Sequence, residues 1–184
     1  MAAPTNGILT NAADVLALSA KKALPGIPVR VKGIVTAAET NWGGQFFVQD
    51  ASGGIFVVNY DSSQQPKPGD VMEISGLSHP GGYAPTIVKP HLKKLGTTPL
   101  PKAKPVTIEQ LMSGVEDSQR VEISGIVRTA QRSQDYLGIE LVSGGYRFRA
   151  YAPPTPHTDL QTLIGARVLL RGTAAVSFNG TLRH

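Results

Sequence analysis

The sequence predicts an all-β chain with short helices: two tandem five-stranded Greek-key barrels, the second incomplete in its closing strand. Three observations carry this. Glycine and proline supply 20 and 14 of the 184 residues, without low-complexity periodicity, which favours many turns and short strands over long helices. Short runs alternate apolar and polar residues at the period of a strand. Three segments then recur in order. "PVRVKGIVTAA" at 28–38 matches "RVEISGIVRTA" at 120–130, and "DASGGIFVVNY" at 50–60 matches "LVSGGYRFRAY" at 141–151. "KPGDVMEISGL" at 67–77 matches "LIGARVLLRGT" at 163–173. Gly33 and Gly125 lie 92 residues apart, Gly53 and Gly144 91, and Gly76 and Gly172 96. A near-constant offset over three segments marks two copies of one unit.

Residues 1–27 read as a helical lead-in, with Thr10 or Asn11 as cap and Val15, Leu16 and Leu18 as the apolar stripe. The first barrel follows at 28–96. In its opening strand Val29, Val31 and Val35 alternate with Arg30 and Lys32, and Gly33 in mid-strand marks a sharp bend or bulge. A hairpin turning at "DASGG" comes next, with Gly-Gly expected at positive φ and Asp50 capping the turn. A strand at 71–76 and a last strand near 86–94 complete the unit. Residues 97–119 hold "TTPLPKAKP", read as a short stiff linker, then a helix. There Thr107 and Gln110 form a capping box ahead of Ile108, Leu111 and Met112. The second barrel, 120–184, repeats the pattern with Gly125 as its bend and a strand at 168–172. Its closing strand is expected to be incomplete within this chain, as in a piece of a longer protein. A bent first strand, a hairpin and two further strands in so short a unit suit the OB-fold better than a small β-sandwich.

Hydrophobic residues make up 41% of the chain, enough for a core. With no cysteine, disulfides, thiolate metal sites and cysteine nucleophiles are excluded. Net charge is +5, and a basic balance attracts polyanions. No apolar run approaches the roughly 20 residues that span a bilayer. The start has no basic segment followed by an apolar one, so the reading is a cytoplasmic chain or one whose targeting segment was removed.

"GIVTAAETNWGGQFFVQDASGGIFV" is similar to OB-fold modules with the pattern G-x-V-T, F-x-x-Q-D, G-G-I-x-V. Taken with "LTNAADVLALS", "KPGDVMEISGLSHPGGYAP" and "PVTIEQLMSGVEDSQRVEISGIVR", it resembles a particular family. That family is the extracytoplasmic N-terminal region of certain large bacterial membrane-bound sensor histidine kinases of two-component systems. The resemblance covers nearly the whole chain, and its motifs are mostly structural. It implies a non-catalytic sensory or ligand/partner-binding module, a periplasmic or extracellular setting, and membrane contact only through parts of the parent outside this chain. Kinase H-box, ATP-binding motif and membrane span are absent from the 184 residues.

Catalytic motifs are missing. No G-x-S-x-G elbow and no phosphate loop occurs. His79, His91, His157 and His184 are each more than four residues from the next, so helical zinc spacing is absent. Glu116 and Asp117 are adjacent and diverge, which suits a charged turn. No catalytic residue, metal or cofactor is assigned, and the chain itself is read as non-enzymatic. The alternative function is single-stranded nucleic-acid binding, for which a cytoplasmic setting would fit and which OB-folds perform on the face of their second and third strands.

The repeat locates that face. In the first copy Phe46, Val48, Ile55 and Val57 should point inward, and Phe47, Gln49, Phe56, Val58 and Tyr60 outward. Phe47, Phe56 and Tyr60 would form a packing or partner face. In the second copy Gly138, Glu140, Arg147, Arg149 and Tyr151 should point outward, with Arg147, Arg149 and Tyr151 a candidate anion site. Trp42, the only tryptophan, lies in the loop after the first strand. Tyr83 and His79 lie in "SHPGGYAP", expected on the same side. Trp42, His79 and Tyr83 are therefore the candidate ligand site.

Overall fold

The structure is a computed structural model and describes residues 7–38, 42–61, 63–153 and 159–176. His157 and His184 lie outside them. The predicted all-β architecture of two tandem OB-fold-like units is what forms. Strands β1 (Pro28–Ala38), β2 (Phe46–Gln49), β3 (Gly54–Val58), β4 (Asp70–His79) and β5 (Thr86–Thr97) close a barrel in the order β1-β2-β3-β5-β4. Strand β5 runs parallel to β3 and antiparallel to β4. Strands β6 (Lys104–Pro105), β7 (Arg120–Arg132), β8 (Leu137–Ser143), β9 (Tyr146–Ala152) and β10 (Arg167–Thr173) form a second, open sheet. Its order is β10-β7-β8-β9, with β6 parallel to the start of β7. Among the described residues no helix is long and apolar enough to cross a membrane.

The two units share register. Val29 faces Gly76 and Gly33 faces Met72; 92 residues on, Val121 faces Gly172 and Gly125 faces Val168. Both first strands are irregular at the same place, between Val35 and Ala37 and between Val127 and Thr129. The bend at Gly33 needs glycine because the next strand crosses closely: a Cβ there would lie 2.7 Å from the Gln49 carbonyl oxygen. The likeness extends upstream. Leu9 bridges Val29 in parallel, as Lys104 pairs with Val121.

The lead-in and linker are built into the fold. Helix α1 (Ala12–Leu16) is capped by Asn11, whose side chain accepts from the Asp14 amide, and it buries Ala12 and Val15. Helix α2 (Ala20–Ala23) follows, capped by Ser19. Helix α3 (Ile108–Ser113) carries the predicted Thr107–Gln110 capping box and ends at Gly114 in the left-handed region, φ 77°. Helix α4 (Leu160–Leu163) starts at Asp159. The segment at 97–105, read as a short stiff linker, is docked on the second sheet. Ala103 is buried, Lys104 and Pro105 enter the sheet, and the Pro101 carbonyl accepts from Arg120 Nε at 2.9 Å. A strand edge that offers backbone hydrogen bonds outweighs the stiffness of its prolines.

Candidate ligand faces

The first barrel's interior is apolar. Val31, Val35, Phe46, Val48, Ile55, Val57, Ile74 and Ile87 are all fully buried, as the inward set required. On its outer β2–β3 face the rings form a row. Phe47 and Phe56, paired in register, lie 4.7 Å apart, and Trp42 meets Phe47 edge-on at 6.0 Å. These contacts leave Phe47 only 9% exposed, whereas Tyr60 at 84% stands free in solvent. Phe47 and Phe56 thus share a face with Trp42, and Tyr60 does not join the packing.

Trp42, His79 and Tyr83 do not sit at one end of the barrel. Ile87 pairs in parallel with Val57, so the residues before Ile87 run toward Gly54, the end where β2 turns into β3. Trp42 precedes Phe46, at the opposite end of β3. The Tyr83 hydroxyl lies where a Cβ on Gly114 would be, against the end of α3. His79 is exposed, its Nδ1 accepting from the Gly81 amide at 3.1 Å. The expectation of a shared loop site is corrected by the direction of β5, which the sequence spacing alone did not reveal.

The "DASGG" turn is a knot rather than an anion cradle. Asp50 Oδ1 accepts from the amides of Ser52 (2.7 Å) and Gly53 (3.0 Å), while its Oδ2 accepts from the Ala12 amide at 2.9 Å. Ser52 Oγ accepts from the Ala13 amide at 3.0 Å. The donors a phosphate would need are thus spent on Asp50 and Ser52. Neither Gly53 nor Gly54 has positive φ, contrary to expectation. Gly54 is required instead because the Ser118 backbone carbonyl occupies the place of a Cβ. Ser118 belongs to a segment that joins the units. The Arg120 amide donates to Gln49 Oε1 at 2.9 Å, Ser118 N to the Ala174 carbonyl at 2.8 Å, and Val176 N to Asp117 Oδ1 at 2.8 Å. The Glu116–Asp117 pair is structural too: Glu116 is buried on Lys104 Nζ at 2.7 Å. Burial raises the Asp117 carboxyl above its ordinary range, outweighing its hydrogen bonds from Val176 and Ser118.

The equivalent face of the second unit is open and basic. Glu140 pairs with Arg149, Gly138 with Tyr151 and Val142 with Arg147, so Arg147, Arg149 and Tyr151 line one outward row of β9. Arg147 reaches Glu140 at 3.4 Å, and Arg149 makes no ion pair among the described residues. Tyr151 is 64% exposed and meets Tyr136 edge-on at 5.4 Å. Gly138 is the floor of that pair: a Cβ there would lie 3.3 Å from the Tyr136 ring. The sequence reading singled out the arginines and Tyr151 but not Tyr136, because the repeat offsets carry Trp42 to positions 133–135 and not to a ring.

The fold is that of a tandem OB-fold-like protein. No family model matches the chain, and no curated protein does. Solved structures do. One is the Ifi202 HINa domain in complex with 20bp dsDNA, at 11% identity and TM-score 0.37 over 72% of this chain and 77% of that one. Another is a murine DNA-binding protein bound with dsDNA, at 13% identity and TM-score 0.36 over 85% and 88%. Likeness at this level carries no argument about what this chain binds.

Proposed function

We propose that the chain is a non-catalytic nucleic-acid-binding module whose second unit takes single-stranded nucleic acid on its outer β8–β9 face. The supporting observation is the row Arg147, Arg149, Tyr151 with Tyr136 beside it. It combines cations for phosphates with exposed rings for bases, on a face that no other part of the described chain covers. The basic net charge acts in the same direction. Fluorescence anisotropy of a labelled single-stranded oligonucleotide over a salt series tests it. Binding should weaken with salt, and Arg147→Ala with Arg149→Ala should lower the log–log slope by about 0.7 per lost phosphate contact. Tyr151→Ala should cost about tenfold in affinity from lost stacking. An oligonucleotide that binds with no salt dependence, or binds the double arginine variant unchanged, would overturn the reading.

A second reading follows from the first barrel. The Trp42–Phe47–Phe56 row has no lysine or arginine on its two strands, which suits an uncharged ligand or protein partner. The resemblance to the sensor region of membrane-bound histidine kinases supports the same role. Trp42 emission reports on it. A response to neutral metabolites or glycans, with none to DNA, would favour the sensory module over the nucleic-acid one.

A further inference from the structure

In the first barrel, β5 covers the edge of β4 and seals the interior; the corresponding edge of β10 is bare among the described residues. The consequence is visible residue by residue. Met72 and Ile74 on β4 and Ile55 on β3 are buried. Their counterparts by register, Val168, Leu170 and Phe148, are only half-buried. Three apolar side chains at barrel-interior positions therefore lack the strand that would cover them. The charge on the rim differs as well. On β4 the acids Glu73 and Asp70 meet lysines of β5: Glu73 is opposite Lys93, and Lys94 Nζ lies 2.6 Å from Asp70 Oδ1. The outward row of β10 is Arg167, Leu169 and Arg171, with Leu169 54% exposed. Arg171 shares Glu122 at 2.6 Å, and Arg167 makes no ion pair among the described residues.

We propose that the free edge of β10 takes an extended strand of another polypeptide. This guest would run antiparallel to β10, with apolar residues inward on Val168, Leu170 and Phe148 and acidic residues outward beside Arg167 and Arg171. Backbone pairing supplies the affinity of such strand addition and alternate side chains its specificity. The rim charge selects the guest. A second copy of this chain does not fit, because antiparallel pairing of two β10 strands about Leu169 sets Arg167 against Arg171, and like charges directly opposite repel. An acidic guest reverses that sign. The site does not rest on the nucleic-acid reading, which uses β8 and β9.

The test is calorimetric titration with two short capped peptides, one alternating valine with glutamate and one alternating valine with lysine. Nucleic acid is left out. The glutamate peptide should bind at least about tenfold tighter, and hydrogen exchange should slow at amides of 167–171. Arg167→Glu with Arg171→Glu should reverse the preference, while Trp42 emission verifies that the first barrel stays folded. Equal binding of the two peptides, or none, overturns the proposal. So does binding only to a chain shortened to end at Val176, since the chain's own residues 177–184 would then be the occupant.

Discussion

Residues 28–97 and 120–173 place the same strand pattern in the same register, and one closes while the other stays open among the described residues. The difference lies in one element. With β5 in place, Ile74 and Ile55 are fully buried; with no counterpart among the described residues, Leu170 and Phe148 are half-covered. The second unit compensates elsewhere, through β6, the docked linker and the 114–120 segment that packs on the first barrel. The outer faces differ as well. The Ser118 carbonyl sits over Gly54, while the equivalent position in the second unit is Arg147, pointing into solvent.

Paired substitutions break or sharpen that comparison. The largest effect is expected in the cores. Ile74→Ala should cost about 3–4 kcal/mol by urea denaturation, and the equivalent Leu170→Ala only about 1–2 kcal/mol, because half of its surface already meets water. Similar losses would mean that the second interior is sealed. The two hairpins come next. Gly54→Ala drives a Cβ into the Ser118 carbonyl and should cost about 2–3 kcal/mol. Gly145→Ala has open space and pays only for its φ of 83°, about 1 kcal/mol. Removing the knot with Asp50→Ala should cost about 1–2 kcal/mol and loosen α1, read as faster exchange at the Ala12 and Ala13 amides.

The smallest effect is on pH, and its sign differs between the units. In the first, burial pushes Asp70 up, but the Lys94 ion pair and the Lys67 amide outweigh it, so its pKa falls below 3.8. That stability is present above 3.8 and lost as the pH falls through the lowered value. Asp117 has a raised pKa. Its contribution is full below 3.8 and lost as the pH rises through the raised value. Melting temperatures against pH should therefore flatten on the acid side for Asp70→Asn. For Asp117→Asn, the loss between acid and neutral pH should disappear.

Much of this fold is legible in the sequence because it is local. Alternation in β1 and β7, the bends at Gly33 and Gly125, the Thr107–Gln110 capping box and the inward and outward sets of each hairpin depend on near neighbours. The candidate faces follow from that same alternation, which sets Phe47 and Phe56 on one side of their hairpin and Arg147, Arg149 and Tyr151 on one side of β9.

The glycine pairs mark where letters stop being enough. "DASGG" and "LVSGG" align in sequence with an offset of 91, yet the strand register sets Val48 equivalent to Leu141 and Ile55 to Phe148, an offset of 93. Gly144 and Gly145 are the turn itself, at positive φ, and their structural counterparts are Ala51 and Ser52, not Gly53 and Gly54. Composition, periodicity and repeats thus determined two β units and the residues facing in and out, since those follow from a two-residue period. Only the tertiary structure decided that Gly54 answers to a carbonyl 64 residues on, that Trp42 and Tyr83 lie at opposite ends of one barrel, and that one sheet closes. Each of these depends on contacts between segments distant in the chain, which no local pattern encodes.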